Sequence, residues 1–306
     1  MKPTNYKRFS SALLLLLILE FPFAAVPCLA GGGVDQRDFD EAMRLCALGH
    51  YGSAAKILRE VQRKHPNDVF ILTELGTAYM NDYNDVSGGV DKAEKCLRRA
   101  IQLDPEFGKP YCRMAECCDA KGDFEAGVKY ATKALSVKKP EYDALRERAG
   151  AYSNLKRDKE ALVDIEAFLK KTPKIEKKHL VQRATILENL KQYDRALAEY
   201  RKLLKVKYED QVVYREVACL QGLHRPEEAI RSLNTLINHN KQDDSGYLTR
   251  ARLFESLGKH KEAVDDYSKA FELQPSTNAL KERATVYDKM GRKDLAEKDR
   301  QEAARL

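Results

Sequence analysis

The chain has no GxSxG, HExxH or Walker-type glycine-rich segment. The nucleophile elbow, helix-borne zinc site and phosphate cradle that those patterns build are therefore missing. Its six histidines are scattered, and none of its seven cysteines forms a CxxC pair, so no zinc spacing is present. No tract is low in complexity, and no apolar run approaches the ~20 residues that a membrane-spanning helix needs. What remains is a globular composition of 306 residues, 33% charged and 43% hydrophobic.

Residues 1–30 stand apart from the rest. Lys2, Lys7 and Arg8 form a basic head, "ALLLLLIL" (12–19) is uninterrupted apolar sequence, and Pro22 breaks the segment. "CLA" (28–30) then places a small residue just before "GGG". This is the layout of a secretory signal peptide cut after Ala30, with 31–34 a Gly-rich linker. Glu20, so close to the apolar run, weakens insertion, and Pro27 sits where a lipoprotein signal needs a small residue. The expected location is exported, periplasmic or extracellular. The alternatives are an ER lumen or tethering through an uncleaved signal.

Cleavage removes three basic groups and one acidic one, lowering the net charge from +7 to +5. Neither value by itself implies nucleic acid or an anionic membrane. Six cysteines remain: Cys46, Cys96, Cys112, Cys117, Cys118 and Cys219. Disulfides are open to an exported chain, with no pairing deducible from sequence. Small buried side chains in helices are the plainer expectation.

The dominant signal is a repeat of about 34 residues. "ERAGAY" (147–152), "QRATIL" (182–187), "TRARLF" (249–254) and "ERATVY" (282–287) mark it. Eight units start near 35, 69, 108, 142, 177, 210, 244 and 277, and together they make residues 35–306 a single domain. Position 8 of each unit is Ala, Gly or Val, and position 20 is always Ala or Gly. Position 11 is apolar, from Leu45 to Tyr287, and Pro66, Pro105, Pro173 and Pro275 occupy position 32. Small residues at 8 and 20 let two helices approach, with larger ones filling the space around them. "LGHY" (48–51), "KGDF" (121–124) and "LGKH" (257–260) put Gly where the first helix stops. The prolines end the second helix.

This pattern resembles the tetratricopeptide repeat over nearly all of 35–306. The resemblance implies an all-α, right-handed solenoid of about eight helix–turn–helix units with polar end caps. Lys139, Tyr208 and Lys241 depart from it in place of the proline, and "NDYNDVSGG" (81–89) enlarges the second unit by five residues. That insertion has the oxygen side chains of a calcium loop, but Ala93 stands where the bidentate Glu belongs, so it reads as a solvated loop. In the last helix Arg300 replaces the apolar or small residue of position 24, as a cap requires.

At position 7 four units carry Arg148, Arg183, Arg250 and Arg283; sixteen residues later those same units carry Asp164, Glu199, Asp266 and Asp299. The other four units have neither the arginine nor the acid. Their joint occurrence predicts Arg–carboxylate pairs between the two helices, structural ties rather than a row of ligand contacts.

The resemblance places positions 2, 5, 6, 9, 12 and 13 on a concave groove. There the chain has eight basic and ten acidic residues, which is no phosphate-binding stripe and argues against nucleic acid. A carboxylate clamp found in some relatives is matched only by Lys109 and Arg113, leaving a partial anion site. Phe39, Met43, Phe70 and Met80, with Cys112, form an apolar patch for a peptide, unless the tail or the first unit's own fold covers it. Thr77, Tyr214 and Arg215 complete the candidate lining. The expected function is an exported, non-catalytic scaffold holding a protein or peptide, with no cofactor and no metal. The alternatives are a subunit of an envelope-assembly or secretion complex, and a helper that holds unfolded clients.

Overall fold

The computed structural model describes residues 34–82 and 88–306. The candidate signal peptide, the linker glycines and most of the 81–89 insertion lie outside those residues. Sixteen α-helices follow in pairs among the described residues. The pairs are α1 (Val34–Ala47) with α2 (Tyr51–Lys64), α3 (Val69–Met80) with α4 (Gly89–Leu103), and α5 (Gly108–Ala120) with α6 (Phe124–Ser136). Next come α7 (Ala144–Asn154) with α8 (Asp158–Lys171), α9 (Lys177–Asn189) with α10 (Tyr193–Val206), and α11 (Asp210–Gly222) with α12 (Pro226–His239). The last are α13 (Asp244–Ser256) with α14 (His260–Leu273) and α15 (Thr277–Lys289) with α16 (Lys293–Ala303). α1 takes in Val34, the last residue assigned to the linker. The architecture is all-α, with one isolated backbone bridge among the described residues, between Phe107 and Lys139. No described helix is long and apolar enough to cross a membrane.

Local chemistry sets the helix ends. Asp68, Asp123, Asp243 and Ser276 each accept a hydrogen bond from the backbone N–H three residues on, filling one of the orphan donors of a helix start. First helices stop in a uniform way: position 15 of seven units has φ between 55° and 80°. Four of these are Gly49, Gly122, Gly258 and Gly291, while Lys156, Lys191 and His224 hold the same left-handed conformation with a side chain. Pro66, Pro105 and Pro275 each come one residue after the C-cap of the second helix, where a further turn is blocked.

The small positions are the closest approach of each pair. Ala54, Ala93, Ala161, Ala196, Ala229, Ala263 and Ala296 at position 20 are fully buried. A Cβ on Gly76 would fall 2.9 Å from Leu97 Cγ. Position 24 supplies much of the apolar burial, with Leu58, Leu97, Ile165, Tyr200, Leu233 and Tyr267 almost wholly enclosed. Each such side chain contributes about 1.5–3 kcal/mol by leaving water. At the same position of α16, Arg300 is exposed and paired with Asp288. The last helix thus turns a polar face outward.

Consecutive helices pack along the whole described chain, and first helices also touch across units, α3 on α5, α5 on α7 and α7 on α9. The main helix contacts fall within a unit or between neighbouring units, which is the organisation of a solenoid. All six described cysteines are free thiols. Burial raises the pKa of Cys46, Cys96 and Cys118 to about 11 and of Cys117 and Cys219 to about 12. They are packing groups, with little thiolate to react.

Candidate binding groove

The recurrent arginines sit in the wall. Arg148 donates from Nε and Nη2 to the two carboxylate oxygens of Asp164, at 2.6 and 2.8 Å. Arg250 grips Asp266 at 2.7 and 2.7 Å, and Arg283 grips Asp299 at 2.8 and 2.7 Å. All three are planar two-bond pairs between the helices of one unit. Arg183 differs, because Glu199 is one methylene longer. It meets Nη2 alone at 2.8 Å, and Arg183 Nε is buried without a partner. Burial pushes the pKa of Glu199 up, but bonds from Arg183 and Lys202 outweigh it and leave the pKa lowered.

Each two-bond arginine has a further contact that the spacing analysis missed. Arg148 Nη1 donates to Thr132 Oγ1, Arg250 Nη1 to Asn234 Oδ1, and Arg283 Nη1 to Ser268 Oγ. Thr132, Asn234 and Ser268 all occupy position 25 of the preceding unit, so one guanidinium ties three helices. The signal was a small polar acceptor 15–16 residues before the arginine. Between the fifth and sixth units the polarity reverses. Glu216, at position 7 of α11, accepts from Arg201, at position 25 of α10, at 2.8 Å. Arg201 also reaches Glu228 of α12 at 2.9 Å.

Where first helices meet, groove charges pair across units. Lys109 bonds Glu74, Arg252 takes both oxygens of Glu282 at 2.8 and 2.7 Å, and Lys289 meets Glu255 at 2.6 Å. Tyr200 and Tyr267, two units apart, donate their hydroxyls to Glu188 and Glu255 at 2.9 and 3.1 Å. At the seam of α5 and α7, Arg113 pairs with Glu116 within α5, Arg146 with Glu147 within α7, and Arg146 also reaches Glu116 across the seam at 3.7 Å. Burial and the nearby Glu116 carboxylate push the Glu147 carboxyl up to about 8.

These contacts correct two readings. The apolar patch is not a surface: Phe39 is 3% exposed and Cys112 is fully buried. Position 5 lies at the seam between neighbouring first helices, and in α1 and α5 the packing there covers Phe39 and Cys112. Phe39 packs in the α1–α3 core with Met43 half-buried against it, and Met80 is half-buried beside Ala93 and Cys117. Phe70 alone of the five is exposed, at 39%, with its ring 5.0 Å from that of Phe107. The partial anion site also closes, since Glu74 and Glu116 neutralise Lys109 and Arg113. Thr77 returns its hydroxyl to the Thr73 carbonyl at 2.9 Å. Tyr214 donates to Asp243, the N-cap of α13, at 2.6 Å.

Arg215 is different. It is half-exposed, and its one hydrogen bond is from Nη1 to Glu188, at 3.3 Å. It borders an open hollow of about 490 Å³ between α9 and α11, with Lys178 at the rim and Val181, Thr185, Tyr200 and Val212 forming its floor and walls. No group of His, Cys, Asp and Glu among the described residues could hold a metal ion.

Comparison with known proteins agrees with this geometry. The family model of the tetratricopeptide repeat matches residues 108–140, 180–210 and 245–277. No protein of curated function matches the sequence. Among solved structures, a tetratricopeptide repeat protein from Parabacteroides merdae ATCC 43184 is 22% identical, with a TM-score of 0.53, over 78% of this chain and 93% of its own. YrrB, described as a TPR protein with an unusual peptide-binding site, is 17% identical at TM-score 0.53, over 61% of this chain and 96% of its own. PilW, a type IV pilus biogenesis factor, is 15% identical at TM-score 0.58, over 68% and 94%. The chain has the tetratricopeptide-repeat fold.

Proposed function

We propose that this chain is an exported scaffold that holds a protein or peptide in its groove and catalyses no reaction. The observation that carries the reading is the contrast between wall and groove. Three wall arginines, Arg148, Arg250 and Arg283, spend two donors each on their own acids, and Arg183 is held by Glu199, whereas the groove at α9 and α11 is open and lined by a half-used arginine. Such a surface offers charge-assisted bonds and apolar area to a partner without moving the walls. YrrB, a TPR protein with an unusual peptide-binding site, supports the reading as a likeness of fold.

A photo-cross-linking residue placed at Thr185 in the groove, and separately at exposed Val163 of α8, tests this in living cells. Discrete protein adducts from position 185 and none from 163 are expected; equal labelling from both would overturn the reading. Export rests on the basic head and apolar run of residues 1–30. Cell fractionation and N-terminal sequencing are expected to find a mature chain that starts after Ala30 outside the cytoplasm. A cytoplasmic full-length chain would remove that part of the proposal.

A further inference from the structure

The joints where one unit hands over to the next form a continuous edge of the solenoid, because each touches the one that follows. Lys139 pairs with Asp104 at 3.0 Å, Lys171 Nζ lies 4.0 Å from the centre of the Tyr142 ring, and Lys177 pairs with Glu209. Tyr208 then stacks on His239, with ring centroids 4.1 Å apart. Second helices end at this edge and first helices begin there, so it lies at the ends of the helices, beside the groove.

The middle joint differs from its neighbours in charge. Residues 170–178, KKTPKIEKK, carry five lysines against one carboxylate, Glu176. The joints on either side are balanced, with two lysines and two acids each in 136–143 and in 205–210. Lys178 is held by Glu176, and Lys177 by Glu209. Lys170, Lys171 and Lys174 are exposed and have no carboxylate partner among the described residues. Apolar side chains stand out beside them. Of the seven large apolar residues exposed among the described residues, three fall in these three consecutive joints: Tyr142 at 46%, Ile175 at 52% and Val206 at 87%.

We propose that this edge binds the surface of a bilayer rich in anionic lipid. Ile175 and Val206 enter the headgroup layer, and Lys170, Lys171 and Lys174 face the lipid phosphates. The negative surface potential of such a leaflet attracts each ammonium, while the aliphatic side chains gain by leaving water. Lysine stems lie along the apolar boundary with their charged ends in the headgroups. A bilayer suits this edge better than an acidic protein does. Residues 170–178 contain no arginine, the cation that protein interfaces favour for planar bonds to carboxylates, and lysine is depleted at such interfaces. A layer of lipid phosphates needs only point charges and no pocket. Bound by its edge, the chain keeps the groove open to a partner, so the two roles are independent.

Residues 31–306 contain all sixteen described helices and the packing between them. They are tested without the apolar run of 12–19, which would insert by itself. Co-sedimentation is measured with vesicles of phosphatidylcholine and with vesicles of equal parts phosphatidylcholine and phosphatidylglycerol. Binding is expected to the anionic vesicles only, and is expected to weaken as salt is raised. K170E/K174E, checked for unchanged melting, should lose about tenfold or more in partition. K293E/K298E makes the same charge change far off on α16 and should lose less than about threefold. I175S/V206S should lose roughly fivefold. The chain holds no tryptophan, so Ile175→Trp provides a lone fluorophore whose emission should shift to the blue on anionic vesicles. Val163→Trp, in the middle of α8, should show no shift. Absent binding, equal binding to neutral vesicles, equal losses in the two charge variants, or an unshifted Ile175→Trp would each overturn the proposal. Soluble polyglutamate bound as tightly as the vesicles, by both the parent chain and I175S/V206S, would overturn it in favour of an acidic protein partner.

Discussion

Arg283 holds both carboxylate oxygens of Asp299 across α15 and α16, at 2.8 and 2.7 Å, while its remaining nitrogen reaches Ser268 on α14. The same three-helix tie recurs at Arg148 and Arg250. Its stabilising value is in what its loss would leave, because a buried Asp without its arginine is an uncompensated charge.

Arg250→Met is accordingly expected to destabilise the protein by roughly 3 kcal/mol. Asp266→Met is expected to cost a similar amount. The double variant should fall short of the sum by about 1–3 kcal/mol, the coupling of residues in direct contact. Urea unfolding of the three proteins measures it, and strictly additive losses would show that the pair does not act as one unit.

The reversed tie between Arg201 and Glu216 makes a charge-swap experiment informative. Arg201→Glu places a third carboxylate beside Glu216 and Glu228, and the melting temperature should fall. Adding Glu216→Arg to that variant should recover part of the loss. If the double variant melts below the single one, the arrangement does not depend on charge pairing.

Position 15 offers stabilisation. Lys156, Lys191 and His224 have φ of 61°, 58° and 55°, a region that costs a residue with a Cβ about 1–2 kcal/mol. Replacing each by Gly is expected to raise stability by about 1 kcal/mol, since Gly adopts that conformation freely. Thermal melts of the single and triple variants check this. A fall in melting temperature at all three sites would mean that the side chains contribute more than the backbone strain takes away.

Stability should depend on pH through Glu147. Burial raises its folded pKa above the ordinary carboxylate range, with Glu116 adding to the effect and Arg146 and Arg113 opposing it. The folded chain therefore holds a proton that the unfolded chain has released, so this contribution is full below the unfolded pKa. It is lost as pH rises from the ordinary carboxylate range to about 8. Urea midpoints are expected to decline over that interval, and Glu147→Gln should flatten the decline. An unchanged pH profile in Glu147→Gln would assign the slope to other groups.

Much of the wall was legible in the sequence. The pairing of Arg148 with Asp164, or Arg250 with Asp266, could be read from their joint occurrence, because a short-range repeat compares one geometry with itself. The third partners, Thr132, Asn234 and Ser268, were harder to see, since they belong to the preceding unit and vary in type. The reversed Arg201–Glu216 pair was hidden for a related reason. Its acid stands at position 7, where the other ties have arginine, and its partner lies in another unit.

The groove shows where sequence periodicity runs out. Residue spacing determined the eight helical pairs, their small contact positions and the polar last helix, because these follow from interactions within one or two turns or across one repeated hairpin. Only the tertiary structure decided that Phe39 and Cys112 are covered, that Lys109 and Arg113 are neutralised, and that Arg215 has donors to spare. Position 5 means groove in the repeat's frame, yet its exposure depends on how closely the next first helix packs and which charge that helix brings. Those are properties of two units in contact, and no single unit carries them.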